Sequence, residues 1–200
     1  MNTTDINNKI KWNIDFAHSE IAFRVRHFMI THIRGTFKTF GASIYTIGND
    51  FLTAEVKLWI DPSSVLTGDT KRNEHLEGAE FFDVLKHKQI TFISNTIHKT
   101  DTKNTYKMKG NLTILGIKKE IQLVVEFGGV AKDTSGNTKS GLTVKGIINR
   151  RDWGLNWNVK GEDGKFMLSD DVNIDCEIEL QREGEKSWPI ELNHNAQRNA

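Results

Sequence analysis

What this chain lacks narrows it before any motif does. Its one cysteine, Cys176, excludes an internal disulfide and a thiolate metal cluster, and is expected to be a small buried side chain. Its two prolines, Pro62 and Pro189, fall outside the alternating runs described below, where a missing backbone donor would break a sheet. Neither sign of charge prevails: 27 Lys and Arg face 26 Asp and Glu, a net charge of +1. That balance argues against a nucleic-acid partner and against a general pull toward acidic membranes, and no basic run is long enough to act as an interaction tail. No window approaches the ~18 apolar residues of a membrane span, so no stable membrane insertion is expected. The opening "MNTTDINNKI" has neither a basic start nor a following apolar stretch, unlike a secretion signal, and a cytoplasmic location is the expectation. At 200 residues the chain is about one domain in length, enough for a substantial core.

What is present is period two. From Val172 to Leu180, V-N-I-D-C-E-I-E-L places an apolar residue at every second position, as a strand with one buried and one wet face requires. Leu52 to Ile60 repeats the pattern, broken only by Trp59, and Ile121, Leu123, Val125 and Phe127 do the same. Alternation of this kind marks antiparallel strands, because parallel ones are buried on both faces. Further candidates are Ile21 to Phe28, Gly35 to Ile47, Ile90 to Ile97, Tyr106 to Ile114 and Leu142 to Ile148, with a short run near Trp12 to Asp15. Turn residues at 48–50, 115–119, 133–137 and 161–164 separate them. Eight or nine strands in near-sequential hairpins give an all-β fold, a closed barrel or a sandwich. An eight-stranded barrel is either just filled by side chains or holds one small ligand. The inward set has bulky members (Phe23, Phe37, Phe92, Met108, Leu112, Phe127) and small ones that would leave space (Ala54, Gly110, Gly146).

One stretch interrupts the strands: "TGDTKRNEHLEGAEFFDV", 67–84. Asp69 or Asn73 can cap a helix start, and Leu76, Ala79 and Phe82 recur at helical spacing, which predicts a short helix over 70–82. It would lie across one end of the barrel with Phe81 and Phe82 turned inward as plug or lid. Metal and hydrolytic chemistry find little support. Seven histidines include no H-x-H or H-E-x-x-H spacing, and His27 and His32, five apart in a continuous strand, would face opposite ways. Asp15, His18 and Ser19 resemble a hydrolytic trio only superficially, since adjacent strand residues point apart and no G-x-S-x-G is present. No cofactor and no catalysis are expected. Trp153 and Trp157 in "DWGLNW" are candidates for an aromatic pocket wall or a dimer patch.

Five segments, 14–37, 63–92, 110–125, 146–157 and 172–180, with a D-x-x-H-S opening, a T-G-x-x-x-R-x-x-H-L…F-F-D-V block and an N-R-x-D-W-G segment, resemble the YceI-like family, also called polyisoprenoid-binding proteins. The resemblance covers roughly residues 12 to 180. It implies an extended lipocalin-like antiparallel barrel of eight strands, often dimeric, whose tunnel holds an isoprenoid or similar amphiphile without converting it. The barrel domain is taken as 1–182, with a polar tail over 183–200 in which Trp188-Pro189-Ile190 can dock on the barrel. The tunnel set is then Phe23, Phe37, Phe81, Phe82, Phe92, Met108, Leu112, Leu123, Trp153 and Trp157. Candidates for a polar head are His18, Ser19, His27, Arg34, Arg72 and Arg150, each with the alternative of an internal network. Where relatives usually carry Tyr-Pro or Phe-Pro, this chain has His87 and Lys88, and Asn73 replaces an acidic residue. The expected partners are an isoprenoid or fatty-acyl ligand, such as an isoprenoid quinone or prenyl phosphate, and a second copy of the chain. The competing expectation is a filled barrel acting as a dimeric, stress-related interaction protein.

Overall fold

The structure is a computed structural model that describes residues 9–162, 164 and 166–184. The tail from 185 onward, including Trp188-Pro189-Ile190, lies outside the described residues. In chain order the elements are β1 (Lys9–Ile14), β2 (Ile21–His27), β3 (Thr31–Phe37), β4 (Phe40–Ile47), β5 (Asp50–Ile60), β6 (Val65–Leu66), helix α1 (Thr70–Glu77), β7 (Ile90–Lys99), β8 (Thr105–Ile114), β9 (Ile117–Lys132), β10 (Thr138–Asn149) and β11 (Leu168–Arg182). All pairings are antiparallel. The ring β1-β4-β5-β7-β8-β9-β10-β11 closes through β1 on β11 as an eight-stranded barrel.

Three barrel strands are built from two pieces each. β1 and β2 both lie along β11, joined through a 3-10 turn at Phe16–His18. Asp15 caps that turn, its carboxylate accepting the Ala17 N–H at 3.1 Å. β3 and β4 form the next strand. The expected single run over 35–47 is broken at Lys38 and Thr39, whose N–H groups donate to the Ser64 carbonyl and hydroxyl instead of to a neighbouring strand. β5 and β6 form the third, and β6 pairs back on β3.

The alternation deviates where a bulge intervenes. Around the β4–β5 hairpin the register shifts between Tyr45 and Ile47, so Phe51 rather than Leu52 faces inward. Gly110 and Gly146 do not leave open space. A Cβ on Gly110 would lie 2.3 Å from the Phe92 ring, and one on Gly146 would lie 2.6 Å from a Leu123 methyl. Each glycine is the flat bed on which a neighbouring strand's large side chain rests. Trp59, the exception in the β5 pattern, covers Gly41 on the outer face in the same way.

The two ends of the barrel are stopped differently. At the end away from the helix, Trp12, Phe51, Phe127 and Tyr106 form a chain of ring contacts with centroids 4.6 to 6.5 Å apart. Trp12 is fully buried, and its indole N–H donates to Thr46 Oγ1 at 2.9 Å. At the other end lies α1, capped by Asp69, which accepts the Arg72 N–H at 2.8 Å. The helix is shorter than expected, stopping at Gly78 in extended backbone, and Ala79 is exposed. Beyond it, turn bonds from Phe82 N–H to the Leu76 carbonyl and from Val84 N–H to the Glu77 carbonyl fold the chain back and carry Phe81 and Phe82 over the barrel.

Candidate functional site

Inside the barrel runs a cavity of about 270 Å³. On β11 alone its lining extends from Leu168 to Ile178, a run of about 33 Å at 3.3 Å per residue. With the usual barrel tilt that is roughly 25 Å along the axis. A void of this volume drawn out over that length is narrow. Apart from Arg150, Tyr106 and Cys176, every lining side chain is a hydrocarbon or a thioether.

Eight of the ten residues expected in a tunnel line it: Phe23, Phe37, Phe81, Phe82, Phe92, Met108, Leu112 and Leu123. Phe37 and Phe82 meet edge to face at 5.8 Å, which ties the capping segment to β3. Trp153 and Trp157 do not line it. Trp153 is 1% exposed, packed behind the wall with its indole N–H donating to the Leu112 carbonyl at 3.2 Å. Trp157 lies tilted against Phe81 and edge to face with His75, which in turn is bonded to Glu80. Ala42, Val56 and Val144, which the same alternation contains, also line the cavity, as do Leu155 and Leu168, which lie on segments without a readable period.

Among the six polar candidates, only Arg150 faces the cavity. It is 3% exposed, at the helix-bearing end. Its Nε–H donates to the Ser169 carbonyl at 3.0 Å. One terminal nitrogen donates to the carbonyls of Leu155 and of Trp157, the latter at 2.9 Å, and the other lies 3.4 Å from the Asp170 carboxylate. Burial lowers the guanidinium pKa, against the raising effect of Asp170. A guanidinium has five N–H donors, so these four bonds leave one without a partner among the described residues.

The other five are held elsewhere, each for a local reason. Ser19 ends the 3-10 turn and exchanges hydrogen bonds with the Glu179 backbone at 2.9 and 3.3 Å. His18 sits on the outer surface beside Asp15, at 3.1 Å. Arg34 pairs with Glu20 on the outer face. Arg72 is folded back onto its own loop, donating to the Thr67 hydroxyl and carbonyl at 2.8 and 2.7 Å, while Asn73 accepts from the same Thr67 at 2.9 and 2.7 Å. His27 lies edge to face with Phe28 at 4.6 Å. His27 and His32 flank a hairpin rather than sharing a strand, with His27 opposite Thr31 and His32 opposite Arg26, and so sit on opposite faces.

Asp15, His18 and Glu179 offer ligand atoms within 4.8 Å of one another. Lys139 Nζ occupies that space, 2.6 Å from Asp15 and 3.1 Å from Glu179. Its hydrogen bond holds the Asp15 carboxyl well below the usual range, helped by His18, while Asp15 in turn raises the Lys139 pKa. The cluster is an ion-pair network that pins the 3-10 turn to β10 and β11. Cys176 lines the cavity as a buried thiol whose pKa burial pushes up to about 11.

A closed antiparallel barrel with a long apolar interior is a lipocalin-like architecture, and the comparisons with known proteins agree on the fold. The YceI-like domain matches residues 12–180, and the chain belongs to that family. A UPF0312 protein of Staphylococcus aureus is 34% identical over 170 residues, 84% of this chain and 96% of its own length. A Campylobacter jejuni YCEI protein is 32% identical with a TM-score of 0.63, matching 80% of this chain and 89% of that one. A polyisoprenoid-binding domain from Saccharophagus degradans shares the fold at 18% identity, with a TM-score of 0.59 and coverage of 85% and 97%. Family and fold agree: the chain is a YceI-like barrel.

Proposed function

We propose that this protein binds a long, slender apolar amphiphile, a polyisoprenoid such as an isoprenoid quinone or a prenyl phosphate, and holds it without chemical change. The observation that carries the reading is the cavity, hydrocarbon along its length and bearing its one buried charge at the helix end. Each buried CH₂ contributes about 0.8 kcal/mol. Some fifteen buried carbons would supply about 12 kcal/mol, comparable to the ~4–15 kcal/mol cost of association. Affinity therefore comes from the tail. Selectivity comes from the free N–H of Arg150, which suits a quinone or phosphate oxygen and penalises a head without an acceptor by about 1–3 kcal/mol. The Saccharophagus degradans domain, described as polyisoprenoid-binding, is in line with this choice of ligand.

Native mass spectrometry of the gently purified protein, before and after incubation with an isoprenoid quinone, tests it. A stoichiometric prenyl species is the expected result, and its loss in the cavity-filling variant Ala54→Phe ties it to the interior. Overpacking of that kind costs about 1–3 kcal/mol, so circular dichroism must confirm a folded variant. A protein that stays empty under all loading conditions would refute the proposal in favour of a filled barrel.

A further inference from the structure

The β2–β3 hairpin carries its turn to one end of the cavity, where His27 pairs with cavity-lining Leu168. Phe23 and Val25 of β2 still line the cavity. Beyond them His27 pairs with Leu168 and with Thr31, and the tip is Phe28, Met29 and Ile30. The turn is unusual for its composition. The Ile30 N–H donates to the His27 carbonyl at 3.0 Å, and Phe28 and Met29 between them have φ of 47° and 59°. Two consecutive left-handed residues are ordinarily Asn-Gly, and bulky side chains there are strained. Met29 is nevertheless 52% exposed and Ile30 88% exposed, so neither is retained to fill the core.

The flanks of this apolar tip are basic. Along the outer face of the ribbon, Arg24 stands opposite Arg34 and Arg26 opposite His32. Like charges directly opposite one another destabilise a sheet unless a counter-charge is supplied. For the pair farther from the tip the protein supplies it: Arg34 meets Glu20, and Arg24 lies 3.4 Å from Asp175. Nearer the tip, Arg26 forms no ion pair among the described residues, although Asp171 is exposed on the neighbouring strand. A second apolar protrusion lies alongside, since the Phe28 N–H donates to the Met167 carbonyl and the Met167 N–H to that of Val159. There Phe166 is exposed, with the cations of Lys160 and of Arg151, the latter paired with Asp170 at 2.6 Å, over its ring at 5.4 and 5.9 Å.

We infer that the β2–β3 tip and its basic flanks dock the helix-bearing end of the barrel on an anionic lipid bilayer, with Met29 and Ile30 reaching below the headgroups and Arg26 and His32 lying against them. Exposed apolar side chains beside Arg26, a cation with no ion pair among the described residues, match the acyl–headgroup boundary of an anionic leaflet. The contact is peripheral: the apolar tip enters the leaflet and the barrel stays outside it. It also places the surface two residues from cavity-lining Val25, where a lipid leaving the bilayer would reach the interior first. The inference rests on the lipid-binding reading for its purpose, and the two are tested separately.

The full chain is sedimented with vesicles of phosphatidylcholine alone and with vesicles containing phosphatidylglycerol, at low and high salt. The protein should pellet with the anionic vesicles at low salt and much less with the neutral ones. Arg26→Gln with His32→Gln should weaken that partition about fivefold, the usual contribution of one cation at an anionic surface. Phe28→Asn with Met29→Gly and Ile30→Ser should weaken it about tenfold or more. That tip variant receives the preferred turn residues, so it should keep its circular dichroism spectrum and still take up a quinone delivered from ethanol. Equal pelleting with both vesicle types, no pelleting at all, or partition unchanged in both variants would overturn the inference. So would a tip variant that converts a dimer to a monomer and leaves vesicle binding intact, because the tip would then be a contact between copies. A chain that pellets as expected but takes up no quinone leaves docking standing and refutes the lipid-carrying function instead.

Discussion

Arg150 offers the sharpest test of what holds the helix-bearing end together. Its guanidinium, 3% exposed, is the shared donor for the carbonyls of Ser169, Leu155 and Trp157. These belong to the start of β11 and to the segment after β10, so one side chain fastens the irregular stretch over the barrel rim. Arg150→Ala leaves three carbonyls without their donor, and a buried group so deprived costs about 1–3 kcal/mol. With water entering the space left by the side chain, the lower part of the range applies, for a total of about 3–5 kcal/mol. That is a large share of the ~5–15 kcal/mol by which a domain is stable, and corresponds to a fall in melting temperature of roughly 10 °C. Arg150→Lys keeps the charge but not the planar fork, and should fall between the two. Urea unfolding followed by tryptophan fluorescence measures it directly, since Trp153 and Trp157 sit in the fastened segment. A loss below about 1 kcal/mol for the alanine variant would show that the three bonds are not what holds the segment.

Three further outcomes are expected. Gly110→Ala should cost about 1–3 kcal/mol in urea unfolding, because the new Cβ would also lie 2.6 Å from the immovable Ile93 carbonyl, whereas Gly141→Ala, with nothing within 4 Å, should cost far less. Because the Asp15 pKa is depressed in the folded state, its pairing with Lys139 stabilises the fold above the ordinary carboxylate pKa of about 3.9 and is lost as pH falls further. Lys139→Met should lower stability at neutral pH and flatten the acid limb of the stability–pH curve. A limb of unchanged steepness would mean that other carboxylates set it. With its pKa raised to about 11, Cys176 holds only about a thousandth of its thiol as thiolate at pH 8. A thiol reagent should therefore react over hours in the native protein and within seconds in urea, with a bound isoprenoid slowing the native reaction further. Rapid native labelling would show that the cavity opens freely.

The strands were legible because one face of each is wet, and period two survives wherever the ladder is regular. It fails where a side chain redirects the backbone. Nothing in the pattern marks Lys38 and Thr39 as handing their N–H groups to Ser64, or the bulge that exchanges Leu52 for Phe51. The tunnel was legible for the same reason as the strands. Its two errors, Trp153 and Trp157, fall on a segment without a period, where direction is set by tertiary packing. The polar set was largely illegible because reach and capping decide it. Arg72 turns back to Thr67, and Ser19 is consumed by the Glu179 backbone. Arg34 is the exception: with Phe37 and Gly35 inward, its own parity already places it outside. Net charge misled in another way, since +1 over the chain conceals four basic residues on one face of a single ribbon.

On one edge β11 pairs with β10, and on the other with β1 and β2, the first two strands among the described residues, with Ile14 opposite Leu180 and Phe23 opposite Ile174. On a ribosome β1 can pair with β4 and β2 with β3 early, but their other edges must wait through the synthesis of nearly everything else for β11, and pairings so distant in sequence form slowly. Until that strand emerges, the nascent protein is a curled sheet with an oily inner surface and two unpaired borders, the form in which β proteins are most prone to join one another. The interior comes into being in one late step. A chain interrupted before residue 168 has a sheet but no inside, because the closure of β1 on β11 is what makes one.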